Sequence, residues 1–182
     1  MPRLGWEFRD EWNGIYPAGV RISSFSKHLL GTQLSDEPLE NNVAISQFLN
    51  VNKSAALLFN SSAAVFADFD WFGLVTLRVA LETPLADMHH KLDSPEAYIP
   101  AAAAWILNAG AKLYCLDTEM QYGGIHGDPG GGGPLWRGQH GFCPERWQLW
   151  RRRFGELCSS YTLSEGTRQM AKLAEDRVYN RM

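Results

Sequence analysis

The sequence predicts an all-α protein, a single domain of about five or six packed helices spanning residues 1–182, and three observations carry that expectation. Apolar residues recur at three- and four-residue steps in several separate segments. Helix start and stop chemistry, with prolines prominent, stands at the ends of those segments. No segment of convincing length alternates apolar and polar residues as a half-buried strand does, and no internal repeat is present. The length of 182 residues, with 45% hydrophobic and 20% charged, suits one domain that can bury a core without disulfides or metals.

Taken in order, Leu4, Phe8 and Trp12 stand four residues apart with Trp6 and charges between them, which reads as a short amphipathic helix closed by Gly14 and Pro17. Residues 17–41, rich in serine and holding Gly31 and Pro38, read mostly as loop, with a short helix around 26–34. Val43, Phe48, Val51, Ala55, Leu58 and Phe59 predict a helix over 40–59, weakened by Asn50 and Asn52. Asp70 is expected to cap a deeply buried helix over 71–82, which Pro84 stops.

The clearest helix runs over 95–116. Ser94 stands at the N-cap, Pro95 at the first helical position and Glu96 in the first turn. Ala102, Trp105, Ile106, Ala109, Leu113 and Leu116 keep one stripe, and Ala101–Ala104 are small enough for another helix to approach closely. Gly110 costs about 1 kcal/mol against Ala inside a helix, and close packing is one offsetting reason for it. Residues 123–141 hold nine of the 17 glycines and form an irregular loop. Pro144 then starts a helix with Trp147, Trp150, Phe154 and Leu157 on one face. Thr162 with Glu165 makes a capping box for a last helix whose inner side carries Met170, Leu173, Ala174 and Val178.

Charge and cysteine usage exclude several functions. A net charge of −3 argues against nucleic acid as a partner, since phosphate neutralisation needs a basic face. Arg151-Arg152-Arg153 point in different directions on a helix and make no single patch. Cys115, Cys143 and Cys158 form no CxxC pair and no zinc spacing, so reduced cytosolic thiols are the simplest account. The first residues lack a signal-peptide core and no window reaches transmembrane length, so a soluble, cytoplasmic protein without membrane contact is expected.

One run of residues resembles a known family. Gly133-Pro134-Leu135-Trp136-Arg137-Gly138-Gln139-His140-Gly141-Phe142, then Glu145-Arg146-Trp147 and Trp150-Arg151-Arg152-Arg153-Phe154, is similar to a signature of an uncharacterised fungal family known only as a domain of unknown function. The spacing PLW-x-G-x-x-GF-x-x-ERW carries the resemblance. It extends to residues 6–13, to Thr76–Glu82 and to Ala102–Gly110. The resemblance implies a helical fold, a fungal cytosolic setting and no known catalytic residues. Members of that family carry further helices upstream, so this chain reads as a shortened relative or one whose exposed face a partner covers.

Candidate chemistry concentrates around the glycine-rich loop. Gly130–Gly133 lacks the lysine and hydroxyl of a phosphate-binding loop, and no strand precedes it, so a linker is the plainer reading. His126 and Asp128, with His140 further on and Asp117 or Glu119 nearby, are candidates for an acid/base site, but match no metal-ligand spacing. His89-His90 reads as an exposed polar corner. Cys143 before Pro144 stands where a helix N-terminus lowers a thiol pKa, with His140 as base; the plainer reading is a cysteine replacing a capping serine. Arg78 with Glu82, and Arg146 beside Glu145, are candidate buried pairs that fix helix docking or face an acidic ligand.

Two functions follow. One is a small-molecule-binding protein of specialised metabolism, a cofactor-independent cyclase or isomerase acting on an apolar metabolite. Its ligand would lie against Trp105, Trp136, Phe142 and Trp147, with His126, Asp128, His140 and Arg146 as the catalytic set. The seven tryptophans motivate it. The other is a non-enzymatic interaction module that docks a protein partner or a second copy as a homodimer. Neither needs a metal or a cofactor.

Overall fold

Each apolar-periodic segment that falls within residues 38–61, 63–88, 94–116 and 130–179, which a computed structural model describes, folds as an α-helix. The helices are α1 (Pro38–Asn60), α2 (Asp70–Glu82), α3 (Pro95–Tyr114), α4 (Pro144–Cys158) and α5 (Glu165–Tyr179). Short 3-10 turns, Ala64–Phe69 and Leu85–Asp87, flank α2, and the described residues contain no strand. The chain is therefore all-α. Among the described residues no helix is long and apolar enough to cross a membrane. The helices expected over 4–13 and 26–34, and the corner at His89-His90, lie outside the described residues.

The middle of the bundle is α3. Ala101, Ala102, Ala103 and Trp105 are wholly buried, and the small side chains let α1, α2 and α5 lie close around it. α4 packs on α5 and on α2, completing the core with Trp147, Trp150, Phe154 and Leu157. Burial of each large aromatic removes well over ~100 Å² from water, so this helix is anchored mainly by its indoles.

Asn52, which weakens α1 by propensity, is explained by what it joins. Its side-chain oxygen accepts from Thr76 Oγ1 of α2 and from Trp105 Nε1 of α3, both at 2.9 Å. Its amide donates to the Phe48 carbonyl at 3.0 Å. A buried indole N–H without an acceptor costs about 1–3 kcal/mol, more than asparagine loses inside a helix.

Helix ends depart from the expected caps. α1 begins at Pro38, inside the stretch expected as loop. Asp70 is the first residue of α2, not its N-cap, and its Oδ1 accepts from the Trp71 N–H at 2.8 Å. Ser94 occupies the N-cap of α3 but its side chain makes no capping bond. The box expected from Thr162 and Glu165 does not form. Ser164 Oγ accepts from the Thr167 N–H at 3.3 Å, while Thr162 shares a hydrogen bond with Ser160. Glu96, from the first turn of α3, accepts from Ser164 N at 2.8 Å and from Ser164 Oγ at 2.6 Å, tying the two helix starts together. A carboxylate there satisfies donors the helix cannot and opposes the positive end of its dipole. On α5 the inner face is Ala171, Ala174 and Val178; Leu173 is exposed.

Candidate functional site

The site that the fold builds is the segment 130–141, together with the two helices beneath it. Glu82 is the last residue of α2, an apolar helix, and is fully buried. Arg146 enters in the first turn of α4 and is fully buried too. Arg146 Nε donates to Glu82 Oε1 at 2.6 Å and Nη2 to Oε2 at 3.0 Å, a two-pronged ion pair. Bidentate geometry of this kind is the strongest arrangement open to an arginine and a carboxylate.

The remaining guanidinium hydrogens hold the loop. Nη1 donates to the carbonyls of Gly130 at 2.9 Å and Gly141 at 2.7 Å, and Nη2 donates to Gly131 at 3.0 Å. All five N–H donors of Arg146 are thus used. On the other side, Glu82 Oε1 also accepts from Trp150 Nε1 at 2.8 Å, and Oε2 accepts from the Gly133 N–H at 2.7 Å. The Glu82 main-chain carbonyl accepts from the Leu135 N–H at 2.8 Å. The guanidinium also lies 5.5 Å from the Trp150 ring and 5.8 Å from the Trp136 ring, within cation–π range.

Two glycines are required by this geometry. Gly141 has φ of 85°, a left-handed conformation costly for any residue with a Cβ. A Cβ on Gly133 would come within 2.8 Å of Glu82 Cβ, so only glycine lets the loop backbone reach the carboxylate. The outer face of the loop carries Pro134, Leu135, Arg137 and Gln139 exposed, with Trp136 half-buried and its Nε1 donating to the Gln139 carbonyl at 2.9 Å.

The expected site residues are placed as follows. His126 and Asp128, with Asp117 and Glu119, lie outside the described residues. His140 is half-buried in the loop. Arg146 lies beneath the loop with every donor taken by protein acceptors, leaving none for a ligand. Trp105 and Phe142 are wholly buried in the core, and Trp147 nearly so. Of the four aromatics only Trp136 reaches the surface. The expected charge pairs are exchanged: Glu82 pairs with Arg146, whereas Arg78 reaches the Gly131 carbonyl at 3.5 Å and Glu145 is exposed.

Cys143 is the N-cap of α4 but makes no capping bond and is buried. Burial raises its thiol pKa, outweighing the Arg146 backbone N–H and guanidinium that lower it. Desolvation thus disfavours the thiolate more than the helix terminus favours it, which agrees with the plainer reading of Cys143 as a residue at the N-cap position rather than a nucleophile. Among the described residues no three His, Cys, Asp or Glu side chains gather as a metal would need.

Two features had no sequence signal strong enough to find them. Glu82 as the partner of Arg146 is one; a lone carboxylate closing an apolar helix hinted at burial but not at its partner. The other is the indole of Trp147, whose Nε1 is buried without a hydrogen-bond acceptor.

Residues 1–154 match the family described as "Protein of unknown function (DUF3632)". No curated protein and no solved structure matches the chain.

Proposed function

The chain belongs to the DUF3632 family of proteins of unknown function, and from that premise we propose that it is a non-enzymatic interaction module whose recognition surface is the loop 130–141. The observation that carries this reading is the buried Glu82–Arg146 pair, which holds an exposed glycine-rich segment in one shape. Ordering glycines is entropically expensive, and a buried ion pair stabilises a fold weakly for its desolvation cost. Helices α2 and α4 could have been joined by apolar side chains alone, so a preserved loop shape is the gain that accounts for the pair. The face so presented, Pro134, Leu135 and Arg137 beside the Trp136 edge, suits a protein partner with an apolar patch and a carboxylate opposite Arg137.

The fungal, cytosolic setting implied by the resemblance belongs to the same reading. An apolar-metabolite enzyme draws on less, because most of its expected aromatic lining is core. The test compares proteins captured by the wild type and by Leu135→Asp/Arg137→Glu, with direct binding measured for any protein that differs. We expect at least one direct partner bound about tenfold or more weakly by the variant, each tenfold being 1.4 kcal/mol, with helicity unchanged. Equal binding by the two proteins refutes the loop as the recognition surface, and sedimentation of each reports whether the partner is a second copy.

A further inference from the structure

The turn that joins α4 to α5 lies at the far end of α4 from the loop 130–141, and its chemistry is independent of that loop. Five of its six residues, Ser159, Ser160, Tyr161, Thr162 and Ser164, carry hydroxyls, and Tyr161 is 96% exposed. Ser164 is exposed and stands just before α5, its carbonyl accepting from the Arg168 N–H at 3.0 Å. The Ser164 hydroxyl donates to Glu96 Oε2 at 2.6 Å, and the Ser164 N–H donates to Glu96 Oε1 at 2.8 Å. Thr167 Oγ1 donates to the same Oε2 at 2.5 Å. One carboxylate from α3 thus gathers three donors at the start of α5, and the shortest link to Ser164 holds only while its Oγ carries a hydrogen. One turn into α5, Arg168 is half-buried and its Nε has no hydrogen-bond partner.

We propose that Ser164 is a phosphorylation site whose phosphoryl group shifts the start of α5 from Glu96 to Arg168. In the transfer, Ser164 Oγ bonds to the γ-phosphorus of a nucleoside triphosphate as the bond from that phosphorus to the β-bridging oxygen breaks. The nucleoside diphosphate leaves with the electron pair, and the hydroxyl proton goes to the kinase's basic carboxylate. The stretch 154–167 holds Glu156 and Glu165 and no basic residue, which suits an acid-directed serine kinase. The product carries a charge of about −1.5 to −2 at neutral pH. Its ester oxygen has no hydrogen left for Glu96, and the two anions repel, so the carboxylate is driven off Ser164. The helix start keeps its acceptors through the exchange, because phosphoryl oxygens accept the N–H groups a helix leaves unpaired and oppose the positive end of its dipole. Residues four apart share a helix face and helical side chains lean toward the N-terminus, which brings Arg168 within reach of those oxygens. Phosphorylation therefore unties the starts of α3 and α5 while leaving α5 capped.

The test uses the full chain in two steps. Wild type and Ser164→Ala are incubated with ATP and a eukaryotic cell extract, and phosphate is located by peptide mapping. We expect it on Ser164 of the wild type; a chain left unmodified there overturns the site. The chain with phosphoserine installed at position 164 during synthesis is then titrated by 31P resonance. An unperturbed phosphoserine takes up its second proton at about pH 6. Pairing with Arg168 lowers that midpoint, and Arg168→Met should raise it by about 0.3 pH unit or more, the roughly twofold change in ionisation constant that an i,i+4 pair supplies. Glu96→Gln should leave it in place, because Glu96 has already moved away. A midpoint above about 6 that falls in Glu96→Gln, or one indifferent to Arg168→Met, overturns the exchange. Glu96 and Arg168 are both partly exposed, so neither substitution empties the core.

Discussion

Replacing Arg146 with Met removes the guanidinium while keeping most of the stem's volume, so its effect isolates the polar hub from packing. The variant leaves Glu82 fully buried, still accepting from Trp150 and Gly133 but without a counter-charge. It also strips a charged donor from the carbonyls of Gly130, Gly131 and Gly141. Removing one partner of a buried pair costs about 3–5 kcal/mol, because the survivor stays desolvated. Against a typical domain stability of about 5–15 kcal/mol this is a large fraction, and it exceeds what loop rehydration recovers. Urea unfolding followed by far-UV circular dichroism measures the global loss. Hydrogen exchange at the amides of Gly133, Leu135 and Gly141, bonded to Glu82 or Gly130, reports the loop. The control is Arg152→Met, whose side chain is 68% exposed in a 3.8 Å pair with Glu156. That exposed pair is expected to contribute under about 0.5 kcal/mol. An Arg146→Met protein within about 1 kcal/mol of wild type, with loop amides still protected, would refute the hub as the loop's anchor.

Four other outcomes are expected. Burial, reinforced by nearby Asp68, raises the Asp70 carboxyl from 3.8 to about 6, against the opposing Trp71 N–H and Lys112. The folded state therefore binds this proton more tightly than the unfolded chain, so wild-type stability gains as pH falls from about 7 to about 4. Asp70→Asn should lack that gain and be more stable at neutral pH by roughly 1–2 kcal/mol, after discounting for partial exposure; parallel pH–stability curves for the two proteins would contradict it. Gly110→Ala should raise the midpoint of thermal unfolding, since it meets only ordinary contact with Ile106 and gains up to about 1 kcal/mol of helix propensity. Gly132→Ala should lower it, because a Cβ there would lie 2.6 Å from both Trp136 Cδ1 and its carbonyl oxygen. With a thiol-alkylating reagent at neutral pH, exposed Cys115 should be modified well before buried Cys143, whose raised pKa depletes the thiolate. Peptide mapping by mass spectrometry gives the order, and faster reaction at Cys143 would contradict it.

The helices over 38–60, 70–82, 95–114, 144–158 and 165–179 were legible because their signals are local. A stripe of Trp147, Trp150, Phe154 and Leu157, or a proline at a helix start, depends only on residues within a turn or two. Caps were less legible. Several side chains near each start qualify, and the winner is set by contacts from elsewhere: Glu96 reaches across from α3 to the Ser164 end of α5. The tryptophan count was legible too, but not its use, since composition does not distinguish an aromatic-filled core from an aromatic-lined cavity.

The helical class, the order of the elements and the glycine-rich segment between α3 and α4 are all legible in the residues alone. These follow from periodicity and from backbone preferences that each residue carries wherever it stands. The partner of each buried polar group, by contrast, is set by how the helices pack. Arg146 meets Glu82 from 64 positions away, and the nearer Arg78 and Glu145 are passed over. Trp147 ends with an unsatisfied N–H where Trp150, three residues on, finds a carboxylate. Such choices depend on how whole helices dock, because desolvating a charge or an indole N–H is favourable only where a partner is already held, and no local pattern encodes that distance.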